Sequence, residues 1–174
     1  MPSERSMIVS SQLHLVVLAP LLAIAAASDV GRRKIPNWLT VTVAVTGAAA
    51  QAFAGGPRAV GDALLAAIVV LALGIVFWAK RMLGGGDVKL AAAAATWVGL
   101  SRSPRYLIAS ALAGGLVATV CYLLSSSDRR FSIRANLYRL HAPQLPADVQ
   151  STSGVVLVPY GVAFAAGALF ALYS

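Results

Sequence analysis

Cysteine and charged residues are scarce in this 174-residue sequence. The single cysteine, Cys121, excludes an internal disulfide and a cysteine-rich zinc site. Only 11% of the residues are charged, whereas an ordinary soluble domain has about 25%. Apolar residues make up 59% of the chain, and the mean hydropathy is +0.78. These values exclude an ordinary soluble domain and predict an all-α protein with several membrane-spanning helices.

Acidic residues are the scarcest charged type, with six Asp and Glu against fourteen Lys and Arg. The basic residues lie mostly in short clusters between apolar runs, as membrane topology requires. The net charge of +8 therefore does not indicate nucleic-acid binding, and no nucleic-acid partner is expected. No spacing of His, Cys or carboxylates suggests a metal site, so neither a metal nor a cofactor is expected.

Apolar runs predict six transmembrane helices in one membrane-embedded domain of residues 1–174. The predicted spans are about 8–28, 37–54, 62–79, 87–103, 105–124 and 155–173. The fourth is the weakest, being short and rich in alanine, and Pro104 favours a break after it. The loop 125–154 is either an interfacial helix or a solvated segment. A cleaved signal peptide is an alternative for the first run, but basic residues follow it rather than precede it.

The distribution of basic residues orients these spans. With the N-terminus outside, the inner loops contain nine Lys and Arg and the outer segments contain four. Six spans then return the C-terminus to the outside. This N-out/C-out topology brings Asp29, at the end of the first span, and Asp87, at the start of the fourth, to the same inner face. The two acids are 58 positions apart in the sequence.

Asp29 and Asp87 are therefore candidates for a catalytic pair. Two carboxyls brought close in a partly dry site cannot both ionise easily, so one keeps a proton. The ionised carboxylate can take a proton from water while the other donates to a peptide carbonyl, which hydrolyses an amide by general acid–base catalysis. Taken alone, Asp87 can also be explained as a helix N-cap. Asp62 has a structural explanation at the predicted start of the third span, where a carboxylate stabilises the helix N-terminus.

The residues beside Asp87 are candidates for supporting roles. Gly84, Gly85 and Gly86 permit backbone conformations closed to other residues and allow another chain to approach closely. Lys89 lies two positions after Asp87, on a different helical face. It either extends to the lipid headgroups or biases the acid pair electrostatically.

Two further segments contain candidate supporting residues. After the first span, Pro36 fixes the chain and Asn37 can cap the second span. Pro159, Tyr160 and Gly161 lie in the inner part of the sixth span. The proline there loosens the helix, and the tyrosine hydroxyl can extend towards the acids.

Together these motifs resemble the prepilin peptidase family of intramembrane aspartyl peptidases. Residues 84–87 match the Gly-x-Gly-Asp motif of these peptidases. The order of the motifs is also similar to that of the family over nearly the whole chain: Asp29, residues 35–37, residues 84–87 and residues 159–161. The resemblance implies an aspartic endopeptidase with Asp29 and Asp87 as its catalytic pair. It would remove a short basic leader from pilin-like precursors at the cytoplasmic edge of the prokaryotic inner membrane.

The resemblance also implies the partners: a precursor with an N-terminal leader and a hydrophobic helix, membrane lipids, and pilus or secretion assembly proteins. The larger bifunctional members have a cysteine-bearing cytoplasmic segment that this chain lacks. It is therefore most similar to the compact Tad/Flp-type or archaeal preflagellin peptidases, and no methyltransferase activity is expected. Two other functions stay open: a proton-coupled carrier that uses Asp29 and Asp87, and a non-catalytic assembly scaffold.

Overall fold

The structure, a computed structural model, describes residues 14–32, 35–80, 82–124 and 160–173. Its helices are α1 (Ala19–Arg32), which follows a π-helical turn (His14–Leu18), α2 (Asn37–Ala79), α3 (Gly85–Val98), α4 (Ser103–Leu124) and α5 (Tyr160–Tyr173). All elements in the described residues are helical, so the predicted all-α class is confirmed there. The predicted loop 125–154 and Pro159 lie outside the described residues.

Two of the described helices are long and apolar enough to cross a membrane, as judged by length and composition. They are Asn37–Ala79, with a mean hydropathy of 2.6, and Ser103–Cys121, with a mean hydropathy of 1.4. Val16–Asp29 and Tyr160–Tyr173 are shorter apolar helices. These findings indicate a membrane protein, whereas the six spans and the N-out/C-out orientation stay predictions.

The chain divides into two units, residues 1–114 with 159–174, and residues 115–158. In the second unit the structure describes 115–124, the last part of α4, where the Thr119 hydroxyl donates to the Gly115 carbonyl oxygen at 2.8 Å. The first unit contains all the residues discussed below. The organisation of residues 1–174 as a single domain stays a prediction.

In the first unit, the chain reverses direction inside α2. Gly56 has φ 67° and ψ −157°, a conformation that residues with a Cβ rarely adopt. Pro57 follows at the first position of the next helical stretch, where a missing N–H is tolerated. The reversal divides α2 into a first arm (37–55) and a second arm (57–79).

Contacts with α3 show that the two arms are antiparallel. Asn37, at the start of the first arm, contacts Lys89 near the start of α3. Gly74, near the end of the second arm, also lies beside the start of α3, where an added Cβ would be 2.6 Å from Val88 Cγ1. Both ends of α2 are therefore at one end of α3, which agrees with two predicted spans separated by a turn.

The prediction that Asp62 begins a helix is wrong. The second arm begins at Pro57, so Asp62 lies inside it, and its Oδ2 accepts a hydrogen bond from the Leu100 N–H at 2.9 Å. Gly99, which follows α3, has φ 77°, and a Cβ added there would be 2.8 Å from Asp62 Oδ2. Asp62 therefore stabilises the turn between α3 and α4 rather than the start of its own helix.

α3 is the central helix of the first unit. Asp87, Val88 and every residue from Leu90 to Val98 are buried. Small alanine side chains permit the close approach of neighbouring helices that this burial requires. The 14 residues of α3 rise about 21 Å, less than the 30 Å or so of a bilayer core. The prediction of a span over 87–103 is therefore corrected to a shorter, enclosed helix that ends at Val98.

The far end of α3 packs tightly against the first arm of α2. The Trp97 indole N–H donates to the Val43 carbonyl oxygen at 2.9 Å, and the Gln51 side-chain amide donates to the Trp97 carbonyl oxygen at 2.9 Å. Gly47 makes room for the indole, since a Cβ there would be 2.6 Å from Trp97 Cδ1. These contacts fix the register of α3 relative to the first arm.

α5 packs against both α1 and α3 and crosses α4 through small residues. A Cβ added at Gly167 would be 2.7 Å from the Ser110 backbone nitrogen. Nearer the start of α5, the Tyr160 ring lies against Gly114, where an added Cβ would be 3.3 Å from two ring carbons. Such close crossings are typical of helices that pack in lipid, where small residues supply the interface.

Candidate active site

Asp29 is buried near the end of α1, with 9% of its surface exposed. α1 continues to Arg32, so Asp29 lies inside the helix rather than after a span that ends at residue 28. Its Oδ2 accepts a hydrogen bond from the Gly161 N–H at 2.7 Å. A buried carboxylate needs such a partner, because an unpaired charge away from water is costly.

Asp87 is buried in the first turn of α3, with 7% of its surface exposed. The N-cap of α3 is Gly84, three positions earlier, so Asp87 is not itself the cap. The backbone of Gly84 interacts with the Asp87 carboxyl. A third helical residue that reaches back to the N-cap backbone is half of a capping box.

The structure brings Asp29 and Asp87 together. Their carboxyl charges interact with each other, and Tyr160 at the start of α5 interacts with the charge of Asp87. The acids belong to different helices, α1 and α3, and α5 contacts both helices. Three elements that are remote in the sequence therefore meet at this cluster.

Of the three glycines before Asp87, only Gly84 is required by a close approach. A Cβ on Gly84 would be 2.8 Å from Asp87 Oδ2, whereas one on Gly86 would make ordinary contact with Ile35 at 3.5 Å. Gly84 has φ −72°, and Gly85 and Gly86 are helical. The expectation that these glycines adopt conformations closed to other residues is therefore wrong.

Lys89, two positions after Asp87, bonds to Asn37 at the start of α2. The Lys89 amine donates to Asn37 Oδ1 at 3.2 Å. Pro36 precedes the first helical residue of α2, and no side chain caps this end, so the prediction that Asn37 caps the helix is wrong. Lys89 is exposed, and neither of the two roles considered for it is tested by this contact.

Two residues of the cluster have a place that the sequence did not indicate. Gly114 in α4 lies against the Tyr160 ring, where an added Cβ would be 3.3 Å from two ring carbons. Trp78, at the end of α2, lies beside Gly85, where an added Cβ would be 3.6 Å from the indole nitrogen. A tryptophan near the end of an apolar run was the only signal for the second contact.

This arrangement is suited to acid–base chemistry. Two buried carboxyls interact, and the backbone of a glycine contacts each of them. In the described residues, no three His, Cys, Asp or Glu side chains come together as a metal-ligand set. When two buried carboxyls repel each other in this way, one of them tends to keep a proton, which it can exchange with a substrate.

Residues 16–119 match the model of the type IV leader peptidase family, and this range contains Asp29 and Asp87. No curated protein and no solved structure shows significant similarity to the chain. Because the match spans more than half of the 174 residues, the chain belongs to the type IV leader peptidase family.

Proposed function

We propose that this protein is a prepilin leader peptidase in which Asp29 and Asp87 form the catalytic pair. Family membership supports a leader-peptidase role in general. The observation that carries the more specific proposal is the meeting of these two buried acids, which come from separate helices and whose charges interact. A structural role does not require two acids in one buried cluster, whereas aspartyl catalysis does.

The proposed reaction is hydrolysis of a peptide bond by an activated water molecule. The ionised carboxylate takes a proton from water, and the resulting hydroxyl bonds to the carbonyl carbon. The other carboxyl donates its proton to the carbonyl oxygen. Collapse of the tetrahedral intermediate breaks the C–N bond, reforms the carbonyl and transfers a proton to the leaving nitrogen. One water is consumed, and the pair returns to its starting protonation state.

The proposed substrate is a pilin-like precursor with a short leader and a single hydrophobic helix. Asp87 is in the first turn of α3, and the positive-inside rule assigns this end of the helix to the inner face. A substrate helix in the bilayer would then present its leader junction to the acids at the cytoplasmic side of the inner membrane. We propose the compact Tad/Flp type for this peptidase, which the resemblance of its motifs supports.

Asp29→Asn and Asp87→Asn test the proposal directly. Each variant is co-expressed with a small pilin-like precursor, and the product is identified by N-terminal sequencing. Each change removes a group that exchanges protons, so we expect cleavage to fall at least about 100-fold. Asp62→Asn is the matched control, because Asp62 bonds to the Leu100 amide away from the pair; its product should have the wild-type N-terminus.

Full cleavage by either the Asp29 or the Asp87 variant would refute the catalytic pair. Precursor that stays uncleaved by the wild-type protein, together with pilus assembly by both variants, would instead indicate the scaffold. Acid-dependent proton flux in proteoliposomes without peptide cleavage would indicate the carrier. Thermal unfolding of each purified variant separates a loss of catalysis from a loss of folding.

A further inference from the structure

The first turn of α5 contacts Asp29 directly. The Gly161 N–H donates to Asp29 Oδ2 at 2.7 Å, although 132 positions separate the two residues. Gly161 is the second residue of α5, and an amide in the first turn has no acceptor within its own helix. The family match ends at residue 119 and does not include this turn.

We propose that Gly161 is a positioning residue for Asp29, which orients the carboxylate for proton transfer. This inference rests on the proposed function. A hydrogen bond from a backbone amide to a carboxylate is charge-assisted and directional, so it fixes one carboxylate oxygen. Because α5 bonds to Oδ2 of Asp29, we infer that Oδ1 exchanges the proton with water.

The fit between the turn and the acid requires glycine. A Cβ at position 161 would be 2.9 Å from Asp29 Oδ2, 3.0 Å from its Cβ and 3.2 Å from its Cγ. Carbon atoms that close must move apart, and Asp29 has little room to move because it is 9% exposed. Any larger residue at position 161 would therefore displace the carboxylate or lengthen its hydrogen bond.

The turn is held in place from its other side by Tyr160. The Tyr160 ring lies against α4 at Gly114, where an added Cβ would meet two ring carbons at 3.3 Å. Tyr160 also interacts with the charge of Asp87. The same turn therefore bonds to Asp29 through Gly161 and lies within the electrostatic influence of Asp87 through Tyr160, so a shift of the turn would move the Asp29 carboxylate.

Gly161→Ala tests this role against Gly167→Ala, a matched change in the same helix. A Cβ on Gly167 would be 2.7 Å from the Ser110 nitrogen and 2.9 Å from its Cα, so this control strains the α4–α5 contact without touching Asp29. For Gly161→Ala, we expect kcat on a pilin-like precursor to fall about 10- to 100-fold with little change in KM. For Gly167→Ala, we expect a lower unfolding temperature and, at a temperature where the protein is folded, a kcat near that of the wild type.

Equal losses of kcat in the two folded variants would show that packing of α5, not orientation of Asp29, is responsible. Wild-type kcat in Gly161→Ala would also overturn the proposal. If Asp29→Asn loses cleavage but Gly161→Ala keeps the wild-type kcat, the catalytic pair is still supported and only the positioning role of Gly161 is refuted. Full cleavage by Asp29→Asn would remove the proposed function itself.

A second measurement does not depend on the folding of Gly161→Ala. In glycine-labelled full-length protein, the Gly161 amide resonance reports its hydrogen bond to the carboxylate. We expect this resonance to move in Asp29→Asn and to stay in place in Asp62→Asn. An unchanged Gly161 resonance in Asp29→Asn would contradict the contact on which the proposal rests.

Discussion

Gly47→Ala tests the packing that fixes α3 against the first arm of α2. The added Cβ would clash first with the Thr96 hydroxyl oxygen, and it would be 2.6 Å from Trp97 Cδ1 and 2.8 Å from Trp97 Nε1. The indole cannot swing away freely, because it is 2% exposed and bonded to the Val43 carbonyl at 2.9 Å. Overpacking of this kind costs about 1–3 kcal/mol.

The same substitution also stabilises the helix, and this gain has to be subtracted to obtain the packing cost. Replacing glycine by alanine inside a helix gains about 0.5–1 kcal/mol, because the unfolded chain loses conformational freedom. Gly61→Ala in the second arm gains the same term, and nothing lies within 4 Å of its added Cβ. The difference between the two variants therefore isolates the packing cost at Gly47.

The assay is equilibrium unfolding of both purified variants in the same detergent, followed by circular dichroism. We expect Gly47→Ala to be less stable than Gly61→Ala by about 1–3 kcal/mol, while its kcat at a permissive temperature stays near that of the wild type. The contact at Gly47 lies at the far end of α3 from Asp87, so the acids should keep their geometry. Unfolding free energies that agree within about 0.5 kcal/mol would refute this packing of the first arm on Trp97.

Two further experiments test the turn after α3 and the hydrogen bond between the start of α3 and the start of α2. Gly99→Ala places a side chain at φ 77° and 2.8 Å from Asp62 Oδ2. We expect the free energy of unfolding, measured by the same assay, to fall by about 1–3 kcal/mol. An unchanged free energy of unfolding would contradict the conformation of Gly99. Lys89→Met and Asn37→Ala each remove the same 3.2 Å hydrogen bond, so the double variant should be about as stable as the less stable of the two single variants. Additive losses would show that the two side chains act separately.

The sequence predicts the helical class and the meeting of the two acids because both depend on signals along the chain. Apolar runs mark helices, and clusters of basic residues assign their ends to one face. Asp29 and Asp87 occur at ends that this rule assigns to the same side, and the structure brings them together. Family membership, expected from residues around these acids, is confirmed over residues 16–119.

The enclosed position of α3 could not be predicted from hydropathy. An apolar helix that faces lipid and one that is buried among other helices have similar hydropathy, because lipid is as apolar as a protein interior. The run of alanines from Ala91 to Ala95 lowers the hydropathy of the predicted fourth span, because alanine is less apolar than leucine or valine. In the structure, those small side chains allow α3 to be surrounded, and none of the five is more than 8% exposed.

The role of Asp62 was missed for a different reason. Its partner is the Leu100 amide, 38 positions away, and no local pattern indicates such a contact. A carboxylate near Gly and Pro looks like a helix start, which is the commonest local explanation. Only the antiparallel arrangement of α3 and the second arm brings Asp62 to the turn that it stabilises.

Both catalytic candidates are contacted by the backbone of a glycine that stands close to the carboxylate. A Cβ on Gly84 would be 2.8 Å from Asp87 Oδ2, and a Cβ on Gly161 would be 2.9 Å from Asp29 Oδ2. Backbone groups at the start of a helix are held by the helix, so they contact an acid without the rotamer freedom of a side chain. The glycines at these two positions therefore allow backbone groups to approach the two carboxyls closely.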